Sequence, residues 1–221
     1  MTSIRTADSR DAGAIAAVHV ASWRTTYAGI VPSAFLDSLN VEDRTRRWEE
    51  IFATQDSLFF VAEDEAGIFG FVNGGMIRQP IAGYDAELYA LYLLRERQGQ
   101  GAGRALFRSL AGALVSQNLS SMVVWVLAQN PTVGFYRRMG GIQVAEQKIE
   151  IAGVELEELA FGWESLRDVR PSKREFVAAA LDEYTRRRKQ AKILRWFGTI
   201  DYDEKYDYKK NRRQDRVDDE G

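Results

Sequence analysis

The sequence predicts an α/β (α+β) fold: a mixed, mostly antiparallel sheet with a central parallel strand pair and flanking helices, then a C-terminal helix and an extended tail. Two apolar runs around residues 63–67, joined by a turn containing Gly67, predict an antiparallel hairpin. The strand AELYALYLL, a glycine-rich turn, a helix over about 101–117 and the apolar strand MVVWVLA form a βαβ unit, whose strands run parallel. Strands around IQVAEQKIE and VELEELAFGW complete the sheet.

The segments before the hairpin predict one short strand and two helices. Residues 3–6 form the strand, and SRDAGAIAAVHVASWRTTY has helical periodicity until Pro32 interrupts it. Asn40 is a good N-cap for a second helix, VEDRTRRWEEIFA. After the βαβ unit, Asn130 and Pro131 suit the N-cap and first turn of a further helix, PTVGFYRRMG, which ends at a glycine pair.

Composition excludes several classes of protein. With 45% hydrophobic and 28% charged residues, the chain belongs among globular proteins. The lack of cysteine excludes disulfides, thiolate-metal sites and a cysteine nucleophile. The start has no basic segment followed by an apolar one, and no window approaches the roughly 18 apolar residues of a membrane span, so we expect a cytoplasmic protein without a membrane partner.

Charge divides the chain into two predicted domains. From Asp168 onward there are 15 basic and 12 acidic residues, net +3, which leaves −5 for residues 1–167. We therefore expect one domain over residues 1–167 and a helical extension over residues 168–221 that is partly disordered without a partner.

The stretch RERQGQGAGRAL at residues 95–106 is the main functional motif. A glycine loop between a strand and a helix exposes backbone N–H groups at the positive end of the helix dipole, which favours a phosphate or pyrophosphate. A P-loop is excluded because Gly103 is followed by Arg104 and Ala105, and the dinucleotide fingerprint lacks its third glycine. The alternative is a glycine turn that only lets the helix pack closely on the sheet.

The spacing Gln98-x-x-Gly101-x-Gly103, followed by Asn130 and the pair Phe135-Tyr136, resembles the acetyl-CoA signature of the GNAT superfamily of N-acetyltransferases. The resemblance covers residues 1–167 in element order. It implies acetyl-CoA as co-substrate and direct, sequential acetyl transfer to an amine on a small molecule or peptide. The coenzyme-binding residues that it implies are Leu91 and Leu93 in the strand, Gln98, Gly99, Gly101, Ala102, Gly103 and Arg104 in the loop, and Asn130.

Two catalytic residues follow from the same resemblance. Glu87, eleven residues before Gln98, matches the general-base glutamate of histone-type members, and by strand alternation it shares parity with Leu91 and Leu93. Tyr136 matches the general acid that protonates the leaving thiolate. The alternatives are a solvated edge glutamate and an aromatic core residue of the following helix.

Other polar residues predict no additional site. His19 is the only histidine, and a lone histidine on a helix is more often structural than catalytic. The acidic residues 63–65 fall in the predicted hairpin turn, where solvation explains them, so no metal site is predicted.

The tail has its own resemblance. Ser172 and Glu175 form a capping box, and Gly198 is a C-terminal stop, which predicts a helix of about 25 residues. The segments SKREFVAAALDEYTRRR and ILRWFGTIDYDEKYDYKKNRR resemble the toxin-binding part of VapB-type antitoxins. This resemblance implies a PIN-domain ribonuclease toxin as partner. The residues expected to contact it are Trp196 and Phe197, in an apolar groove, and Arg212 and Arg213, near the toxin's acidic metal site.

The function therefore has a leading hypothesis and an alternative. The leading one is an acetyl-CoA-dependent N-acetyltransferase without a metal, and the alternative is an interaction protein that neutralises a PIN-domain toxin. A plain charged extension that dimerises or packs on its own domain would also explain the tail. Nucleic-acid binding through the basic residues 186–189 is opposed by the acidic first domain. The acceptor and the oligomeric state stay open.

Overall fold

A computed structural model describes residues 2–54 and 56–169, which form one seven-stranded mixed sheet with helices on both faces. The strands are β1 Ser3–Thr6, β2 Ser57–Asp64, β3 Gly67–Met76, β4 Ala86–Leu93, β5 Met122–Leu127, β6 Ile142–Ile151 and β7 Val154–Trp163. The helices are α1 Ala12–Thr26, α2 Ser33–Ser38, α3 Val41–Thr54, α4 Ala102–Ser116 and α5 Val133–Arg138. The strand order is β1-β2-β3-β4-β5-β7-β6, with only β4 and β5 parallel, so the predicted fold class is confirmed.

The sheet has two different faces. One face is covered by α4 and α5, where Leu106, Phe107 and Leu110 are fully buried against strand residues such as Val124 and Phe161. The other face is covered by α1, α2 and α3. Its two apolar clusters are formed by Ile15, Val18, Trp48 and Phe71 and by Tyr27, Leu36, Leu127 and Leu156. Membership of these clusters shows which side chains of each strand face α4 and α5 and which face α1, α2 and α3.

Two local differences from the sequence prediction have clear causes. α1 ends at Thr26, before Pro32 is reached, and Pro32 instead occupies the N-cap position of a short helix, α2, which apolar periodicity alone did not predict. The predicted helix at Pro131 begins two residues later, at Val133, because the Asn130 side chain accepts the Thr132 backbone N–H at 2.8 Å and forms a turn before the helix. Asn40 does cap α3, since its Oδ1 accepts the Asp43 N–H at 2.8 Å.

The two parallel strands diverge after a short contact. β4 pairs with β5 only over Ala86–Leu88 against Met122–Val124. β4 continues to Leu93 and β5 to Leu127, yet within the described chain these upper halves do not pair with each other. The result is an opening in the middle of the sheet between the carboxyl ends of two parallel strands.

A β-bulge at Tyr89 corrects the predicted strand parity of Glu87. Asn73 of β3 pairs with Ala90, but the next residue, Gly74, pairs with Leu88, so Tyr89 is an extra residue in β4. Such a residue reverses the alternation of side chains. Leu88 packs on the α4 face below the bulge, whereas Leu91 packs on that face above it. Glu87 therefore lies on the α1 face of the sheet, opposite to Leu91 and Leu93.

The predicted tail residues Trp196, Phe197, Arg212 and Arg213 lie outside the described residues. Within residues 2–54 and 56–169, no helix combines the length and apolar character that a membrane span requires. The same residues contain no cluster of three or more histidine, aspartate or glutamate side chains arranged to hold a metal ion.

His19 is packed inside the α1 face and should make folding sensitive to acid. The side chain is only 8% exposed and contacts the rings of Trp48, Phe71 and Tyr92. Burial, aided by the positive charge of Arg44, lowers the pKa of His19 from 6.5 to about 3. The folded state thus resists a proton that the unfolded chain binds below pH 6.5, so the stability contributed by neutral His19 is lost as the pH falls from 6.5 towards 3.

Replacing His19 with phenylalanine should flatten this pH dependence. Between pH 7 and pH 5 the native protein should lose about 2 kcal/mol more unfolding free energy than the His19→Phe variant. Urea denaturation of both proteins at the two pH values measures the difference. Equal losses would mean that His19 is already solvated, or paired, in the folded state.

Candidate active site

The glycine loop lies at the upper end of the opening between β4 and β5. Gly99 and Gly101 have φ values of +75° and +92°, a left-handed conformation that glycine adopts without strain. Gly101 is the N-cap of α4 and supplies no side-chain cap. The first backbone hydrogen bond of the helix runs from the Ala105 N–H to the Gly101 carbonyl, so the N–H groups of the preceding turn point out of the helix end. The loop therefore presents several backbone donors at a positive helix end.

A hydrogen bond and a close approach at Gly103 place this loop against β4. Gln98 Nε2 donates to the Leu93 carbonyl at 3.1 Å and so connects the start of the loop to the end of the strand. A Cβ placed on Gly103 would lie 3.3 Å from Leu93 Cδ1 and 3.7 Å from the Phe135 ring. A side chain at this position would require the Leu93 side chain to shift by a few tenths of an ångström, so glycine favours the close approach of α4 to β4. The structure thus brings Gln98, Gly103, Leu93 and Phe135 together.

The upper half of β4 has one backbone edge that faces the opening. The Leu94 N–H donates to the Phe69 carbonyl on β3. In an antiparallel pair the hydrogen-bonded residues alternate, so the backbone groups of Leu91 and Leu93 point away from β3, towards β5. The Leu93 carbonyl already accepts from Gln98 and from Ser22 Oγ at 3.1 Å. The backbone N–H and carbonyl of Leu91 and the N–H of Leu93 therefore remain available for hydrogen bonds along this edge.

Tyr136 lies on α5 beside the same opening. Its side chain is 6% exposed and packs against Phe135, Phe161 and Trp163. Within the described residues its hydroxyl forms no hydrogen bond, so the donor is available to a ligand. Burial raises the pKa of Tyr136 well above the usual value for a phenol, and the neighbouring Tyr27 phenol adds to that rise.

Three phenols converge through the opening from opposite faces of the sheet. Tyr136 belongs to the core on the α4 face, whereas Tyr27 belongs to the cluster on the α1 face, yet the two interact electrostatically. Tyr92, on β4, completes the group, with its hydroxyl 3.4 Å from that of Tyr27. The gap between the diverging strands is what allows groups on the two faces to approach.

Two donors orient the phenols on the α1 face. Asn130 Oδ1 accepts the Thr132 N–H, which fixes the orientation of the amide, so its Nδ2 donates to the Tyr27 hydroxyl at 3.3 Å. Trp23 Nε1 donates to the Tyr92 hydroxyl at 3.0 Å. The Asn130 side chain is thus engaged with α5 and with α1, and it ties both to the end of β5.

Glu87 is held in an ion pair rather than open to a substrate. The carboxylate is only 2% exposed. Its Oε2 accepts the Arg78 backbone N–H at 3.1 Å, both oxygens are 3.2 Å from Arg78 Nε, and Oε1 pairs with Arg78 Nη2. Arg78 in turn lies over the Tyr89 ring. Both carboxylate oxygens are therefore occupied by one arginine, and neither is left free to contact a substrate.

Glu158 is a carboxylate that sequence reasoning missed. It lies on β7, with Leu127 of β5 and Gln147 of β6 as its register partners, and accepts a hydrogen bond from Gln147 Nε2 at 2.9 Å. Burial raises the pKa of Glu158; the Gln147 hydrogen bond opposes this rise, the charge of Glu87 adds to it, and the charge of Arg78 opposes it. A signal was present in the sequence, because Glu158 interrupts an alternation in which Leu156 and Ala160 are buried.

The remaining predicted loop residues have distinct surroundings. Ala102 is buried at the first position of α4. Arg104 lines a groove between α4 and α5 together with Arg138 and Trp163. A Cβ placed on Gly99 would meet no atom within 4 Å, so this glycine acts through its backbone conformation.

The comparison with known families identifies this arrangement. A family model described as the acetyltransferase (GNAT) family matches residues 20–141, more than half of the chain. The match includes the glycine loop, both diverging strands and Tyr136. The chain belongs to the GNAT family and is an acetyltransferase.

Individual relatives agree with this assignment. The chain is 48% identical to "Uncharacterized N-acetyltransferase YuaI" of Bacillus subtilis (strain 168) over 167 residues, 75% of this chain and 95% of the relative. PaiA N-acetyltransferase from Thermoplasma acidophilum, solved in complex with coenzyme A, has a TM-score of 0.54 and 22% identity and covers 72% of this chain and 98% of its own. YncA from Salmonella typhimurium, solved with its cofactor acetyl-CoA, has a TM-score of 0.58 and 20% identity over 75% of this chain and 94% of its own. These two structures share the fold.

Proposed function

We propose that this chain transfers the acetyl group of acetyl-CoA directly to an amine on a small molecule or peptide. The observation that carries the proposal is the opening between β4 and β5, which has a glycine loop with uncapped N–H groups at its upper end. Membership of the GNAT family supports it, as do the coenzyme A and acetyl-CoA named with PaiA and YncA. The absence of cysteine from the sequence agrees with a sequential reaction that forms no thiol acyl-enzyme.

The residues of the loop fit a pyrophosphate. The backbone N–H groups that follow Gly101 have no side-chain cap, and a diphosphate at this position would meet donors and the positive end of the α4 dipole. Gly101 and Gly103 keep side chains out of the space above the helix end. Gln98 and Gly99 lie in the loop and Ala102 and Arg104 in the first turn of α4, and all four are proposed to contribute to the coenzyme site.

The open edge of β4 fits the amide-bearing arm of the coenzyme. The Leu91 backbone groups and the Leu93 N–H point into the opening, and an extended chain that carries amides would satisfy them as an added strand does. When bound, acetyl-CoA supplies the activated acetyl thioester. We propose that Asn130 contributes by fixing Tyr27 and the start of α5 at the side of this opening.

Tyr136 is proposed as the general acid. Its raised pKa keeps the phenol protonated at neutral pH, so the hydroxyl holds a proton that it can give to the sulfur of the departing thiolate. No residue that the structure describes forms a hydrogen bond with this buried hydroxyl, which supports the role. Glu87 was predicted as the general base, but its ion pair with Arg78 supports a positioning role, in which it fixes the turn before β4.

The division of the chain into domains follows the change in charge near residue 168. We infer that residues 1–167 form the enzyme and residues 168–221 a separate extension. The alternative role of that extension, in which Trp196, Phe197, Arg212 and Arg213 bind a PIN-domain toxin, stays a prediction.

Calorimetric titration of acetyl-CoA into the full-length protein tests the proposed function. We expect a dissociation constant in the micromolar range and release of free thiol when a panel of amines is added: a peptide α-amine, a lysine ε-amine and phenethylamine. The function would be rejected if millimolar acetyl-CoA produced no heat of binding and no thermal stabilisation of the protein.

A further inference from the structure

The reaction needs a group that takes a proton from the amine, and the predicted one, Glu87, is poorly suited. At neutral pH an amine arrives as an ammonium ion and must lose a proton before its nitrogen can attack. Glu87 cannot easily take it, because Arg78 occupies both carboxylate oxygens and the group is almost inaccessible. Another carboxylate on the same face would be better placed to act as the base.

Glu158 lies on the same face of the sheet as Glu87. On β7 the α4 face is occupied by Leu159, Phe161 and Trp163, whereas Leu156 belongs to the cluster beneath α1 and α2. By alternation Glu158 shares the face of Leu156. The bulge at Tyr89 puts Glu87 on this face too. The negative charge of Glu87 also contributes to the raised pKa of Glu158.

The registers also locate Glu158 one strand away from the opening, at the level of its upper end. β5 forms one side of the opening, and Glu158 pairs with Leu127 at the upper end of β5, whereas Glu87 pairs with Val123 below the point of divergence. Trp125 occupies the β5 position between these two levels, on the same face. The Tyr27 phenol, which reaches the opening from α1, is influenced by the charge of Glu158.

The contacts of Glu158 leave its carboxylate able to accept a proton. It is half-buried and accepts one hydrogen bond, from the uncharged amide of Gln147. No ion pair to Glu158 occurs among the described residues, whereas Glu87 is paired with Arg78. The charged and titratable groups that face it are Glu87 on β4, Arg78 before it and the Tyr27 hydroxyl at the end of α1.

From this geometry we propose that Glu158, and not Glu87, binds the acceptor ammonium and accepts its proton, so that the acceptor class is a cationic primary amine. This inference rests on the proposed function. Glu158 takes one proton from the ammonium and passes it to water, which leaves a neutral amine. As the C–N bond forms and the thioester C–S bond breaks, Tyr136 gives its proton to sulfur and recovers one from nitrogen, so an amide and a free thiol result.

The test presents an ammonium group to the site without a known acceptor. S-(3-aminopropyl)- and S-(5-aminopentyl)-coenzyme A are compared with S-butyl- and S-hexyl-coenzyme A, which have matching chain lengths but no charge. Binding of each is measured by calorimetry at pH 7.5. The native protein should bind at least one cationic probe about tenfold more tightly than its neutral match, a typical effect of a close opposite charge.

Three variants locate the origin of that preference. Glu158→Gln should reduce it to less than about twofold. Glu157→Gln, a matched control at the adjacent, exposed position of β7, should keep it. The double variant Arg78→Met/Glu87→Gln, which removes the ion pair without changing the net charge, should keep it as well. In native protein and double variant alike, lowering the pH through the raised pKa of Glu158 should abolish the preference, because the carboxyl becomes neutral.

The possible outcomes are distinct. Loss of the preference in the double variant with retention in Glu158→Gln would return the role to Glu87 and overturn the inference. No preference in the native protein, with normal binding of acetyl-CoA and the neutral probes, would reject the inference alone. Failure to bind acetyl-CoA at all would reject the proposed function and the inference with it.

Discussion

Replacing Gly101 with valine is expected to weaken acetyl-CoA binding by on the order of 100-fold or more. Gly101 has a φ of +92°, where a β-branched residue is strongly strained, so the variant must turn this peptide unit to relieve the strain. That rotation would redirect the N–H groups that we propose bind the pyrophosphate. Calorimetric titration with acetyl-CoA measures the loss directly.

Gly153→Val is the matched control for this substitution. Gly153 has a similar φ, +80°, and a Cβ there also meets nothing within 4 Å, but it lies in the turn between β6 and β7. The control should show the same kind of backbone strain with unchanged coenzyme affinity. If both variants lost affinity equally, general destabilisation would explain the result; native-like affinity in Gly101→Val would remove the loop from the coenzyme site.

Replacing Tyr136 with phenylalanine should lower kcat by about 100-fold or more, the usual contribution of a general acid, while changing the affinity for acetyl-CoA by less than about twofold. The thermal midpoint should not fall. The buried hydroxyl has no hydrogen-bond partner among the described residues, so its removal leaves no other group unsatisfied. Thiol release with the best amine of the panel and thermal unfolding give the two readouts.

Tyr84→Phe provides the comparison. Tyr84 lies against Gly162, outside the opening, and is partly buried. Its loss of a hydroxyl should leave kcat unchanged. A Tyr136→Phe enzyme with native kcat would show that another group protonates the thiolate, and Tyr27, which reaches the same opening, would be the first to examine.

The fold was accessible from the sequence because each of its signals is local. The hairpin, the βαβ unit and the glycine loop are each specified by residues close together in the chain, and β2 to β5 appear where their apolar runs predict. The helix over 101–117 differs from α4 by one residue at each end. Family resemblance then supplied the expected sheet.

The orientation of Glu87 was not accessible in the same way. Alternation predicted a shared face with Leu91 and Leu93, and one extra residue, Tyr89, reverses it. No residue in LYALY distinguishes a bulge from a regular strand, since the bulge is defined by pairing with β3. The Arg78 ion pair, formed across the turn before β4, is likewise a product of three-dimensional pairing.

The polar contacts around the opening depend on long-range geometry. Asn130 and Tyr27 are 103 residues apart, and Trp23 and Tyr92 are 69 apart, so neither hydrogen bond follows from local pattern. Glu158 differs, because its interruption of an apolar face was visible in VELEELAFGW. What the sequence could not indicate is that this face borders the opening.

The short contact between β4 and β5 also determines how the two parts of the sheet can move. Three residue pairs join the ribbon β1–β4 to the ribbon β5–β7. The buried side chains of α4 pack against both ribbons, with Val72 and Leu88 on one side and Met122 and Val124 on the other. We therefore expect helix packing to resist hinge bending between the ribbons more than the three strand pairs do. Since α4 begins at the glycine loop, we expect a ligand bound there to rest on the helix that joins the two ribbons, and so to stiffen the sheet against bending.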